Sequence, residues 1–118
     1  MNDLVTVSAD RSAFSTDEKV IGRPELHHVI GFKDERPIDL VSIPFWCDMI
    51  IPPAMMLGPA ALGGPVWVPT MQMEVLFKAI PKGKEVFCKF ISRYIINGRE
   101  EMDGELFDED GTLIALTR

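Results

Sequence analysis

Apolar and polar residues alternate with a period of two through most of residues 71–118, and turn-forming residues interrupt that alternation three times. The segments 71-MQMEVLFKAI-80, 85-EVFCKFISRYII-96, 99-REEMDGELF-107 and 112-TLIALT-117 each read as a strand. Between them lie Pro81-Lys82-Gly83-Lys84, Asn97-Gly98 and Asp108-Glu109-Asp110-Gly111. Asn-Gly between alternating segments is a strong hairpin signal, because both central residues of a type I′ turn need positive φ. The pattern predicts an antiparallel meander.

The alternation also assigns faces. In the first strand Met71, Met73, Val75, Phe77 and Ala79 share one side, opposite Gln72, Glu74 and Lys78. In the second, Val86, Cys88, Phe90, Tyr94 and Ile96 alternate with Phe87, Lys89, Ile91 and Arg93. Both of its faces are partly apolar, so the second face is expected to meet a loop, a partner subunit or another domain. Charges cluster in 99–107, which predicts an edge or solvated strand.

Upstream the period of two is lost. From Pro37 to Met56 the chain is mostly apolar, and a helix is expected to start near Ser42, whose hydroxyl could cap free N–H groups. Pro44 then falls in the first turn, where its missing N–H costs nothing, and Pro52-Pro53 is expected to stop the helix. A Gly/Pro loop, residues 58–69, leads into the first long strand. The segment 24-PELHHVIGFKD-34 contains a short strand near residues 26–33. Residues 1–20 read as a linker or N-terminal arm in which only Leu4-Val5-Thr6-Val7 could pair, leaving residues 21–118 as the domain. One apolar helix followed by an antiparallel meander is an α+β layout.

Composition narrows the function classes. The chain has 118 residues and a net charge of −6, with no run of three basic residues, which argues against a surface that tracks nucleic-acid phosphates. A local Lys/Arg patch could still hold a phosphate of an acidic CoA-type ligand. The start Met1-Asn2-Asp3 is not a cationic leader. The apolar stretch from Val41 to Val68 is broken by Asp48 and prolines, so no membrane span is expected. Cys47 and Cys88 form neither a metal spacing nor a disulfide framework, which suits a cytoplasmic or other reducing compartment.

Asp48 is the residue most at odds with its surroundings. It lies in an apolar segment at the C-terminal end of the expected helix, where the dipole disfavours a carboxylate. Burial and the dipole would both push its pKa upward, as a general base requires. The bland alternative is a helix-end Asp in water. Thr70, after Pro69 at the mouth of the first long strand, could orient a water, although most such threonines are ordinary strand residues.

The other chemistry-bearing residues favour structural readings. Neighbours in a strand face opposite ways, so His27 and His28 cannot share a metal ion, and no metal site or cofactor is expected. Asp108-Glu109-Asp110-Gly111 lacks the register and closing Glu of a calcium loop. Cys47 has no histidine partner the sequence can place beside it. Met49, Met55 and Met56 could line an adaptable acyl pocket, but core filling explains methionines more often. Core packing is also the more frequent role for tryptophans such as Trp46 and Trp67.

Three stretches together carry a resemblance: 36-RPIDLVSIPFWCDMIIPPAMML-57, 67-WVPTMQMEVLFKA-79 and 97-NGREEMDGELFDEDGTLIA-115. A helix-end Asp followed by Pro-Pro, a Trp-x-Pro-Thr strand entry and a Glu-x-x-Gly-Glu-Leu-x-Asp-x-x-Gly-x-Leu hairpin occur in one order over about two-thirds of the chain. This resembles the thioesterase-like hot-dog superfamily, in particular the second, C-terminal hot-dog module of acyl-CoA thioesterase II type proteins. The resemblance implies a single hot-dog fold, a curved antiparallel sheet wrapped around one long helix, and a role in lipid metabolism.

In that family an Asp at the helix end, a Thr at the strand entry and a Gln on the last strand position the hydrolytic water. Asp48 and Thr70 match the first two. The last strand reaches Leu116-Thr117-Arg118 where the glutamine would be expected. The resemblance implies an acyl-CoA or other acyl thioester as substrate, with Trp46, Met49, Met55 and Trp67 as substrate-binding candidates. A backbone N–H near the helix N-terminus is the expected oxyanion donor. Such proteins usually carry two hot-dog modules, and this chain has room for one. A single module leaves a sheet edge uncovered, so a homodimer or a second hot-dog module is expected. The alternative is a non-catalytic or truncated module that binds acyl ligands or a protein partner.

Overall fold

The computed structural model describes residues 5–9, 24–48 and 52–118. Strands β1 (Val5–Ala9), β2 (Glu25–Phe32), β3 (Val75–Phe77), β4 (Glu85–Ile96), β5 (Arg99–Phe107) and β6 (Leu113–Thr117) form one six-stranded antiparallel sheet. The spatial order is β1-β2-β4-β5-β6-β3. β1 falls on the one part of the N-terminal stretch with strand character, and it pairs Val5 with Phe32 through Ala9 with His28.

The meander expected over residues 71–118 holds for β4-β5-β6 and fails for β3. Residues 81–84 do not form a hairpin turn. They carry the chain from one edge of the sheet back to its middle, because β2 occupies the place beside β4 and β3 pairs with β6. Periodicity assigns faces and carries no information about which strand lies alongside. The ladder extends past β3, with Glu74 and Arg118 exchanging backbone hydrogen bonds of 2.7 and 3.0 Å.

Two further expectations change. β5 is interior, not an edge strand. Gly104 and Leu106 are buried while Glu101 and Glu105 are exposed, so the outer face of a one-sided sheet accommodates the charges. On β4, Val86, Cys88, Phe90 and Ser92 are buried, but a bulge between Ser92 and Tyr94 ends the alternation and leaves Tyr94 and Ile96 exposed. The Asn-Gly turn is as expected, with positive φ at Asn97 (52°) and Gly98 (69°). In the 108–111 turn, Asp108 is buried, and its carboxylate accepts backbone N–H groups of Lys82, Asp110 and Thr112.

The helical segments lie against the sheet. A 3-10 turn (Leu40–Ser42) leads into α1 (Ile43–Asp48); a second 3-10 turn (Pro53–Leu57) and α2 (Pro59–Leu62) follow. α1 itself begins at Ile43, next to Ser42 as expected, and the 3-10 turn adds helical structure one turn before it. Asp39 is the N-cap of that 3-10 turn: its carboxylate accepts the Ser42 N–H at 2.8 Å, and Ser42 Oγ accepts the Asp39 N–H, a reciprocal capping box. Pro52 has non-helical backbone (ψ 129°), and Pro53 opens the second 3-10 turn, where its missing N–H is no loss.

The run Leu40–Leu57 is long and apolar enough to cross a membrane. Its Ile43, Trp46, Cys47, Ala54 and Met56 are instead buried, the other setting in which such a run occurs. Of these, Ile43, Trp46 and Cys47 join Ile30, Val86, Phe90, Leu106 and Ile114 in one core cluster. Each large side chain there contributes roughly 1.5–3 kcal/mol by burial.

Candidate functional site

Asp48 is the last described residue of α1, and the segment after Pro69 carries Thr70 back to the same place. Thr70 Oγ1 donates a 2.6 Å hydrogen bond to Asp48 Oδ1. The pair was expected on separate grounds for each residue, and the fold joins them across 22 positions of sequence. Both residues are exposed in the single chain, so the burial expected of Asp48 is not present there. The bonded Oδ1 fixes the carboxylate's orientation, and Oδ2 remains to accept a proton.

The expected substrate-binding residues divide. Trp46 is fully buried: its ring meets Phe32 and Phe45 edge-on, and Nε1 donates to Ser42 Oγ at 3.0 Å. A side chain so enclosed has no face left for a ligand, so Trp46 belongs to the core. Trp67 is 87% exposed in the loop three residues before Thr70, and Met55 is partly exposed in the Pro53–Leu57 turn. Met49 lies outside the described residues. The start of α1, where the oxyanion donor is expected, lies roughly 9 Å along the helix from Asp48, and the Ser42 N–H there donates to Asp39.

Around the pair the chemistry is quiet. Cys47, next to Asp48, is buried. Burial pushes its thiol up to about 11, opposed by a hydrogen bond with Thr117 and reinforced by the Asp48 charge. Burial raises Cys88 further, with Cys47 a second cause. Neither is a thiolate nucleophile at neutral pH. His27 is exposed and bonded to Glu25 at 2.6 Å. His28 is buried and stacked on Phe90, with Nε2 unpartnered. No group of three or more His, Cys, Asp or Glu side chains among the described residues is placed to hold a metal ion.

Sequence reading missed one polar cluster. The Glu100 Oε1 accepts both the Ser92 hydroxyl and, at 3.1 Å, the Ala54 N–H of the turn that follows α1. Its only sequence signal is a carboxylate beginning a strand whose register to the helix cannot be read locally. An open groove of about 310 Å³ lies elsewhere, beside Gly31, Lys33, Lys84, Glu85 and Glu109, and none of the expected site residues lines it.

The family model for the acyl-CoA thioesterase C-terminal domain matches residues 3–118. The chain belongs to that family. Solved structures agree on the hot-dog fold. A conserved protein of unknown function with this fold from Alicyclobacillus acidocaldarius aligns at TM-score 0.76 and 23% identity, covering 97% of this chain and 43% of its own. A provisionally assigned thioesterase II from Thermobifida fusca YX aligns at 0.78 and 20%, covering 99% and 44%. A provisionally assigned thioesterase from Syntrophus aciditrophicus SB gives 0.65 and 15%, covering 98% and 82%. No curated protein matches the chain. This acyl-CoA thioesterase C-terminal domain therefore spans less than half the length of the first two relatives, and its α+β sheet and helix form a single hot-dog unit.

Proposed function

We propose that this domain hydrolyses an acyl thioester, with Asp48 and Thr70 holding the attacking water. The hydrogen bond between them carries the reading. A carboxylate with one oxygen anchored presents the other in a fixed direction, the preorganisation a general base needs. Water donates a proton to Asp48 Oδ2 as its oxygen attacks the thioester carbonyl carbon. Collapse of the tetrahedral adduct breaks the C–S bond, and the departing sulfur takes the proton, releasing a carboxylic acid and a thiol. The thiol is coenzyme A if the substrate is an acyl-CoA.

The site is open in the single chain, which supports completion by a second hot-dog unit. β3 is a sheet edge with Leu76 and Phe77 exposed, and the adjoining Trp67 and Met71 are 87% and 84% exposed. We place a second copy, or a second module, against this edge, with the acyl chain between the units beside Trp67 and Met55. Sedimentation at micromolar concentration checks the pairing, and a monodisperse monomer would refute the homodimer. The unpaired thiols of Cys47 and Cys88 support a reducing, cytoplasmic setting.

The exposure of Asp48 and Thr70 also favours a second reading, a module that binds acyl ligands or a protein partner without hydrolysis. Thiol release from short-, medium- and long-chain acyl-CoAs, compared with Asp48→Asn, separates the two. Turnover lost on substitution establishes the thioesterase; no turnover on any chain length favours binding alone.

A further inference from the structure

The two chain segments that carry Asp48 and Thr70 are both tied to one side chain on the last strand. Thr117 is buried on β6, and its hydroxyl donates to Glu74 O at 2.8 Å. The thiol of Cys47, the residue before Asp48 in α1, hydrogen-bonds the same hydroxyl. A hydroxyl has one proton and two lone pairs, so one side chain can serve both neighbours.

On the helix side the route to the pair is a single peptide bond, from Cys47 to Asp48. On the other side it runs through Glu74, four residues after Thr70. Glu74 O accepts the Arg118 N–H at 3.0 Å as well as the Thr117 hydroxyl, and the Glu74 N–H donates to Arg118 O at 2.7 Å. Among the described residues, no backbone hydrogen bond holds residues 66–73, so Glu74 is the nearest point at which Thr70's segment is fixed to the sheet. Packing aims the hydroxyl. Thr117 Cγ2 sits over Gly104, where a Cβ would lie 2.6 Å from it, and a β-branched side chain has few χ1 wells to choose from.

The geometry points to Thr117 as a positioning residue whose hydroxyl fixes α1 against the strand entry, and with it the placement of Asp48 against Thr70. Without that shared anchor the two segments are free to shift separately, and displacement by about 1 Å can cost on the order of 10²-fold in rate. This rests on the hydrolytic reading only in so far as rate is a readout.

The test compares two variants of the full chain, after each is shown to melt cooperatively. Thr117→Val keeps the branched shape and removes the hydroxyl; Thr117→Ser keeps the hydroxyl. Two measurements are made: kinetics of thiol release, and the ¹³Cγ resonance of Asp48 by NMR. For Thr117→Val, kcat is expected to fall about 10-fold with KM within about twofold. The Asp48 resonance should move in the direction that Thr70→Val moves it. Thr117→Ser should restore both. In a Thr70→Val background Thr117→Val should cost little more, because the pair it positions is already broken. An unchanged Asp48 resonance in Thr117→Val overturns the proposal, as do a Ser variant as impaired as the Val variant and losses that simply add. If the unsubstituted chain releases no thiol, the hydrolytic reading fails, and the Asp48 resonance still decides the role of Thr117. Should Thr117→Val not fold, Thr117→Ala replaces it: a shift of the Asp48 resonance in the same direction supports the anchor, and none overturns it.

Discussion

Thr70 Oγ1 donates to Asp48 Oδ1 at 2.6 Å, joining the end of α1 to the strand-entry loop. If this pair holds the water, the two residues act as a unit. Asp48→Asn should lower kcat by at least about 10²-fold, the range expected for loss of a general base, and Thr70→Val by about 10-fold. The double variant should be no worse than Asp48→Asn alone, because Thr70 acts through the carboxylate. Steady-state thiol release on the three proteins checks this.

His28 makes stability depend on pH. Burial, with a smaller contribution from His27, lowers its folded pKa from 6.5 to about 4. Between those values the unfolded chain binds a proton that the folded chain does not, so folding is fully favoured above pH 6.5 and weakened as pH falls toward 4. The loss should be on the order of 3 kcal/mol. Melting temperature against pH for the native chain and His28→Phe measures it, and the substituted protein should lose most of the slope.

The two thiols should be silent until the protein opens. Cys47 and Cys88 are buried and their pKa values are raised, so a disulfide reagent at pH 8 should label neither at an appreciable rate in the folded state. Both should react promptly in denaturant. Fast labelling of the native protein would mean that α1 separates readily from the sheet.

Gly104 should not tolerate a side chain. A Cβ there would lie 2.6 Å from Thr117 Cγ2, and closer still to the edge of the Phe90 ring. Phe90 is fully buried and cannot retreat. Gly104→Ala should therefore destabilise the fold by about 2–3 kcal/mol, measured by urea denaturation.

Much of this protein was legible in the sequence because the governing physics is local. Period-two alternation located β4, β5 and β6, Asn97-Gly98 declared its own turn through positive φ, and the oddity of Asp48 in an apolar segment marked it without a partner in view. Long-range geometry decided the rest. Whether β3 pairs with β4 or β6 depends on what else competes for each edge, and alternation is identical in both cases. Trp46 became core and Trp67 stayed exposed although composition treats them alike, because only one of them lies on the helix face turned to the sheet. The capping box of Asp39 and Ser42 added a 3-10 turn ahead of α1, where both side chains satisfy local capping rules. Thr70 reaching Asp48, and Glu100 reaching Ala54, required folding over 22 and 46 residues respectively. Hydrogen bonds are short and directional, so sequence can nominate the residues that make them, and only the packed chain brings the donor and acceptor within reach.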